Sequence, residues 1–343
     1  MTIPFEQPPS LTDIKDIVVI HELAIGYSSP RFVVSEQINL DLKQGYLYCL
    51  IGPNGCGKST LIRTLAGLLP PLGGEIFMQG KTLQHFSRRE LASKVAVVFP
   101  TGTAMPSMTA FEVAASGRYP YSGFWGRMSK ADKEWVMQSL HLVGIGHLAH
   151  KFFDRLSDGE KQKVWIASAL TQQTPLILLD EPSAFLDFPS RSELMHMLLQ
   201  LTRSQNKTIL LSTHDVALAL RLCDELIVAG HQRPFIMISP EEAVGTGIIP
   251  DYFQRADWVY NSQIQDFEPE SKDFKPVKIH WAGTPHPAWE LFMLRHCLRH
   301  AIPGEAPAWV ISAESDGSFV LHGNSKIITF ESLKFLSRFL RHG

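Results

Sequence analysis

Gly52-Pro53-Asn54-Gly55-Cys56-Gly57-Lys58-Ser59-Thr60 is the stretch that decides the fold. It follows an apolar run, residues 46–51, and opens a helical pattern, the context that a phosphate-binding loop requires. Glycines at this spacing let successive backbone N–H groups turn inward and cradle phosphate oxygens. The start of a helix adds a partial positive charge. Lys58 is placed to neutralise β- and γ-phosphates, and the Ser59 hydroxyl to ligate Mg²⁺.

Downstream, Leu176-Ile177-Leu178-Leu179-Asp180-Glu181-Pro182 sets two carboxylates at the end of a buried strand. Ligands of open α/β sheets bind at the carboxyl ends of their strands. Asp180 is placed to hold Mg²⁺ through water, and Glu181 to orient or deprotonate an attacking water. Together with the loop, this pair reads as a nucleoside triphosphatase. Further strand candidates at residues 95–99, 208–212 and 226–229 alternate with helical patterns. That alternation predicts a mainly parallel sheet with helices packed on it.

Leu156-Ser157-Asp158-Gly159-Glu160, ahead of Lys161-Gln162-Lys163, narrows the reading. Ser157 with Glu160 is a capping box, and a capped helix start offers N–H groups to an anion. The stretch resembles the LSGGQ signature of the ABC ATPases, keeping Leu156, Ser157 and Gly159. The resemblance covers residues 17–265, and it implies a P-loop cassette with ATP and Mg²⁺ as cofactors. In that family the signature helix, here Ser157, Asp158, Gly159 and Glu160, reaches the γ-phosphate held by a second copy. Gly52, Pro53, Asn54, Gly55, Cys56, Gly57, Lys58, Ser59 and Thr60 would bind ATP, and Tyr27 resembles the aromatic that stacks on adenine. His214 resembles the switch histidine beside the γ-phosphate, which makes Lys58, Glu181 and His214 the catalytic set. Asp187 resembles the loop that crosses the dimer interface.

Two positions depart from the pattern. Thr101 stands where the family has a Gln that reaches Mg²⁺, so Thr101 is expected to bind metal only through water, or coupling to rest on neighbouring residues. Asp158 and Glu160 stand where Gly and Gln are usual, two carboxylates that would repel phosphate. Glu160 is expected to fold back on the Ser157 N–H and Asp158 to face solvent. Cys56, inside the loop, predicts inhibition by thiol alkylation with protection by ATP.

The segment Phe111-Glu112-Val113 to Gly117-Arg118-Tyr119-Pro120-Tyr121, then Gly126-Arg127-Met128-Ser129, resembles the ATPases for iron–siderophore, haem and cobalamin uptake. That implies an importer subunit; the alternatives are an exporter ATPase or a non-transport ABC protein. The gap from Lys58 to Ser157 is too short for the coiled coil of DNA-repair members, and one phosphate loop is too few for ribosome-acting ones. The implied partners are a second copy, membrane permease subunits and, indirectly, a substrate-binding protein.

With 343 residues, 45% hydrophobic, the chain is long enough for a large domain and a small one. A net charge of −2 gives no basic field for nucleic acid. No apolar run reaches the ~18–20 residues of a membrane helix, and residues 1–16 form an extension unlike a secretory signal. The expected location is cytoplasmic, peripheral on the inner (plasma) membrane. Cys49, Cys56, Cys223 and Cys297 are scattered and read as reduced thiols; His141, His147 and His150 read as surface or packing residues. Residues 101–165 are expected to form a helical subdomain and 266–276 a linker. A small α+β domain follows at 277–343, with a helix at 288–300 and Trp281 and Trp289 in its core. Its expected role is regulatory or in dimer contact.

Overall fold

The chain opens on a hairpin, β1 (Asp16–Ser28) and β2 (Arg31–Lys43), and continues into β3 (Leu47–Ile51) and α1 (Lys58–Leu65). The structure, a computed structural model, describes residues 15–100, 105, 107–121, 128–184 and 186–253. Beyond these it describes 258–261, 266–269, 275–282, 289, 292–293, 298–301, 306–307, 309–314, 318–322 and 327–342. Thr101, Gly126 and Arg127 lie outside the described residues.

After α1 come β4 (Gly73–Met78), β5 (Lys81–Thr82), α2 (Arg88–Ala92) and β6 (Val95–Val98). β1, β2, β4 and β5 form an antiparallel sheet in the order β2-β1-β4-β5. The second sheet is completed by β7 (Leu176–Leu179), β8 (Thr208–Ser212), β9 (Glu225–Gly230) and β10 (Arg233–Ile238). Its order is β10-β9-β3-β8-β7-β6, and all neighbours but the edge pair β10–β9 are parallel. β3, β7 and β8 are buried along their whole length, which is why their sequences are continuous apolar runs instead of alternating ones. Ile20, Leu23, Ile38 and Leu42 of the hairpin share one core with Tyr48, Leu50, Leu61, Ile62 and Leu65. Each such aliphatic side chain contributes about 1.5–3 kcal/mol on burial. β8 lies between β3 and β7, so the carboxyl ends of these three strands open side by side.

After β6 come the α-helices α3 (Ala110–Ala115), α4 (Lys130–Leu142) and α5 (Asp158–Thr171). Each begins with a complete capping box, Thr109 with Glu112, Ser129 with Asp132 and Ser157 with Glu160. α5 continues past the expected limit at residue 165, because Ile166, Ala167, Ala169 and Leu170 keep it anchored in the interior. Arg118 ties the group together. It donates to Asp132 at 2.8 Å, to the Thr171 carbonyl at 2.9 Å and to Gln173 Oε1 at 2.7 Å. α6 (Phe188–Gln205) and α7 (Val216–Leu222) precede and follow β8. No helix among the described residues is long and apolar enough to cross a membrane.

The chain divides into two compact units, Met1–Gln254 with Ser262–Asp266, and Arg255–Asn261 with Phe267–Gly343. The expected linker at 266–276 is corrected by this division. β11 (Trp258–Asn261) pairs with β12 (Asp266–Pro269), and β13 already starts at Lys275. Acidic and proline residues made this stretch read as a linker, yet its described residues, Asp266–Pro269 and from Lys275 on, lie in strands. The second unit holds β13 (Lys275–Trp281), β14 (Leu298–His300), β15 (Trp309–Ala313), β16 (Phe319–His322) and β17 (Ile327–Phe330), in the order β14-β13-β15-β16-β17. The expected helix to residue 300 is also corrected. Leu298 is buried and its strand pairs in parallel with the edge of β13, a partner that local spacing does not reveal. Trp289 is buried and meets Trp281 edge to face at 5.2 Å, within a core that includes Phe292, Ile311 and Leu336.

Candidate functional site

The loop between β3 and α1 is shaped by its glycines. Gly57 is the N-cap of α1 at φ 109°, where a Cβ would strike the Val34 side chain at 2.8 Å. A Cβ on Gly52 would lie 2.3 Å from the Ala229 carbonyl. Gly57 brings no side-chain cap, so the first N–H groups of α1 face the loop as donors. Lys58 folds over the loop and donates from Nζ to the carbonyls of Gly52 at 2.7 Å and Pro53 at 3.1 Å. It is 5% exposed, and burial lowers its pKa against the opposing pull of Cys56, Glu181 and Asp180. A buried ammonium whose hydrogen bonds go to backbone carbonyls gains from an anionic ligand that meets its charge directly.

Asp180 ends β7 almost fully buried. Its Oδ1 accepts from Ser59 Oγ at 3.0 Å and from Ser212 Oγ at 2.8 Å. Glu181 turns the chain at φ 47°, a left-handed conformation that costs a non-glycine residue roughly 1–2 kcal/mol. Ser212 holds that turn as well, because its Oγ accepts the Glu181 N–H at 2.9 Å. Turned this way, Glu181 Oε1 lies 2.6 Å from Nε2 of His214. Lys58, Ser59, Asp180, Glu181 and His214 thus come together from the carboxyl ends of β3, β7 and β8. Asp180 and Ser59 offer the hard oxygen donors that suit Mg²⁺. Among the described residues, no group of three His, Cys, Asp or Glu side chains is arranged to hold a metal ion. A carboxylate with a serine hydroxyl is the smaller set that Mg²⁺ takes when phosphate oxygens complete its shell.

Ser212 had no role in the sequence reading, although it carries two of these bonds. The available signal was a hydroxyl closing the buried aliphatic run of β8, two residues before His214.

The other expected residues bond elsewhere. Ser157 accepts the Glu160 N–H at 3.3 Å, and Glu160 Oε2 accepts the Ser157 N–H at 2.8 Å. Asp158 is exposed and pairs with Lys161 at 3.4 Å. Both match the geometry expected for the acidic signature. A Cβ on Gly159 would come within 3.1 Å of the Leu186 side chain. Asp187 caps α6 by accepting the Ser190 N–H at 3.0 Å, and bonds from the Ser190 side chain and backbone hold its carboxyl below the usual range. Tyr27 is 41% exposed and pairs across the hairpin with Phe32.

The expectation for Cys56 changes. Its side chain is 2% exposed and faces the Gly52 backbone. Burial pushes the thiol pKa up, only partly offset by the Lys58 charge, so little thiolate exists at neutral pH. Alkylation at pH 7 is therefore expected to run at least about tenfold slower than for a free thiol and to accelerate as pH rises. Mass-spectrometric labelling rates for Cys56 with and without ATP check this; labelling as fast as free cysteine would contradict it.

The ABC transporter family matches residues 35–184, and an AAA domain family matches residues 152–221. An uncharacterized ABC transporter ATP-binding protein of Methanocaldococcus jannaschii is 36% identical over 75% of this chain and 88% of its own length. The ferric enterobactin transport ATP-binding protein of Escherichia coli is 35% identical over 66% of this chain and 83% of its own. A dimeric ATP-binding cassette solved in a post-hydrolysis state with ADP and Pi matches with a TM-score of 0.57 and 25% identity, over 65% of this chain and 98% of that one. The chain belongs to the ATP-binding subunits of the ABC transporters and carries their ATPase cassette.

Proposed function

We propose that this chain powers uptake of a metal chelate, such as a ferric siderophore, haem or cobalamin, through separate membrane permease subunits. The observation that carries the ATPase part is the hydrogen-bonded chain Ser59–Asp180–Ser212–Glu181–His214 beside the buried Lys58. The substrate class is supported by the ferric enterobactin relative and by the siderophore-type segment after β6. The protein would work on the cytoplasmic face of the membrane, with a substrate-binding protein delivering the chelate.

In this reading ATP lies on the Gly52–Thr60 loop with its adenine against Tyr27. Lys58 releases the Gly52 and Pro53 carbonyls and turns its charge to the β- and γ-phosphates. Ser59 and Asp180 would hold Mg²⁺, which when bound neutralises charge developing on the phosphate oxygens. Glu181 orients the attacking water and takes its proton, while His214 holds the Glu181 carboxylate from the other side. The signature helix, whose Ser157 bonds its own capping partner, would serve a second copy, with Asp187 at the junction. Thr101 would contribute through water. The second unit would regulate the cassette or add to dimer contact.

Transport by the chain with its permease subunits in proteoliposomes tests the proposal. ATP should drive accumulation of a radiolabelled ferric siderophore, haem or cobalamin, and Glu181→Gln should stop it. Accumulation of none of these, with ATP-driven movement of another substrate class, would refute the assignment.

A further inference from the structure

Asp158 and Glu160 place two negative charges in the first turn of α5, where the proposed function brings the γ-phosphate of a second copy. Glu160 accepts the Ser157 N–H, which holds its carboxyl below the usual range, helped by the Ser157 hydroxyl and the charges of Lys151 and His147. It is therefore ionised at neutral pH, and its charge must be managed by geometry. Lys151 Nζ stands 3.8 Å from Oε2, the same oxygen that takes the Ser157 N–H. Lys151 reaches it from a fixed backbone. Its carbonyl accepts the Ala110 N–H at 2.9 Å, and its own N–H donates to the Leu148 carbonyl at 2.9 Å. As a stability device this pair is poor, since partly exposed ion pairs contribute about 0–1 kcal/mol. Its value lies in where it points the carboxylate.

We infer that Lys151 is a positioning residue for closure on ATP: it keeps the Glu160 carboxylate folded onto the Ser157 N–H and offsets its charge, leaving the α5 N-terminus open to the γ-phosphate of the second copy. Lys161 does the lesser service for Asp158, which already faces solvent. This rests on the dimeric reading above. Without Lys151, Glu160 keeps its charge and gains freedom to swing toward the phosphate. A like charge at that range weakens closure by roughly 3- to 10-fold.

The test is an ATP titration of dimer formation, read by light scattering, in the full chain carrying Glu181→Gln. Lys151→Met should raise the ATP concentration for half-maximal dimer about 3- to 10-fold, with a smaller effect at about 0.5 M salt. Adding Glu160→Gln to Lys151→Met should restore the midpoint to within about twofold, a rescue that lost packing alone would not give. ATP affinity of the monomer should stay unchanged. An unchanged midpoint, or a shift that persists with Glu160→Gln, would overturn the role of Lys151. Failure of the Glu181→Gln chain to dimerise at any ATP concentration would overturn the dimeric reading itself, and this inference with it.

Discussion

Glu181→Gln is expected to lower ATP turnover by roughly 10²–10⁴-fold, the range for loss of a general base. ATP affinity should remain within about twofold of the wild type, because the carboxylate is engaged with His214 and glutamine can keep that bond. The geometry sets both expectations. Glu181 is held in a left-handed turn by Ser212, and its side chain meets His214 at 2.6 Å. Glutamine keeps the size and the bond to His214 but cannot accept a proton. Steady-state ATPase assays beside nucleotide titration check this. Turnover within about threefold of wild type would remove Glu181 from the role of base.

Lys58→Ala should weaken ATP binding by roughly 10- to 100-fold, the equivalent of about 1.5–3 kcal/mol for bonds made by a charged group. The side chain is buried and its hydrogen bonds go to two backbone carbonyls, so a bound phosphate would give it a direct anionic partner. Alanine also leaves those carbonyls without their donor and loosens the loop. Calorimetric titration with ATP gives the number directly. Unchanged affinity would mean that the backbone N–H groups of α1 bind the phosphates unaided.

The parts of this site that were legible in the sequence are the ones set by local chemistry. The loop glycines, the cap at Ser157 and the buried run before Asp180 each follow from neighbours a few residues away. Glu160 folding back on Ser157 belongs to the same class. Ser212 was hidden because its two partners, Asp180 and Glu181, directly follow β7, a strand that becomes its neighbour only when β8 inserts between β3 and β7. Cys56 read as reachable because it sits among glycines; its burial depends on the close approach of the loop to β9. Residues 298–300 carried helical spacing, but an open edge on β13 offered them a strand partner. The acidic stretch from residue 266 read as a linker for the same reason, since its pairing partner lies upstream at Trp258–Asn261.

The most direct test of the account is the oligomeric state of Glu181→Gln by size-exclusion with light scattering, in Mg-ATP and in Mg-ADP. Two copies closing around two ATP molecules, each held by one chain's Lys58 loop and the other's Ser157 helix, predict a dimer in ATP and a monomer in ADP. Ser157→Arg should abolish the dimer without loss of ATP binding to the monomer. A chain that binds ATP and stays monomeric at every ATP concentration, or one equally dimeric in both nucleotides, would contradict that mechanism.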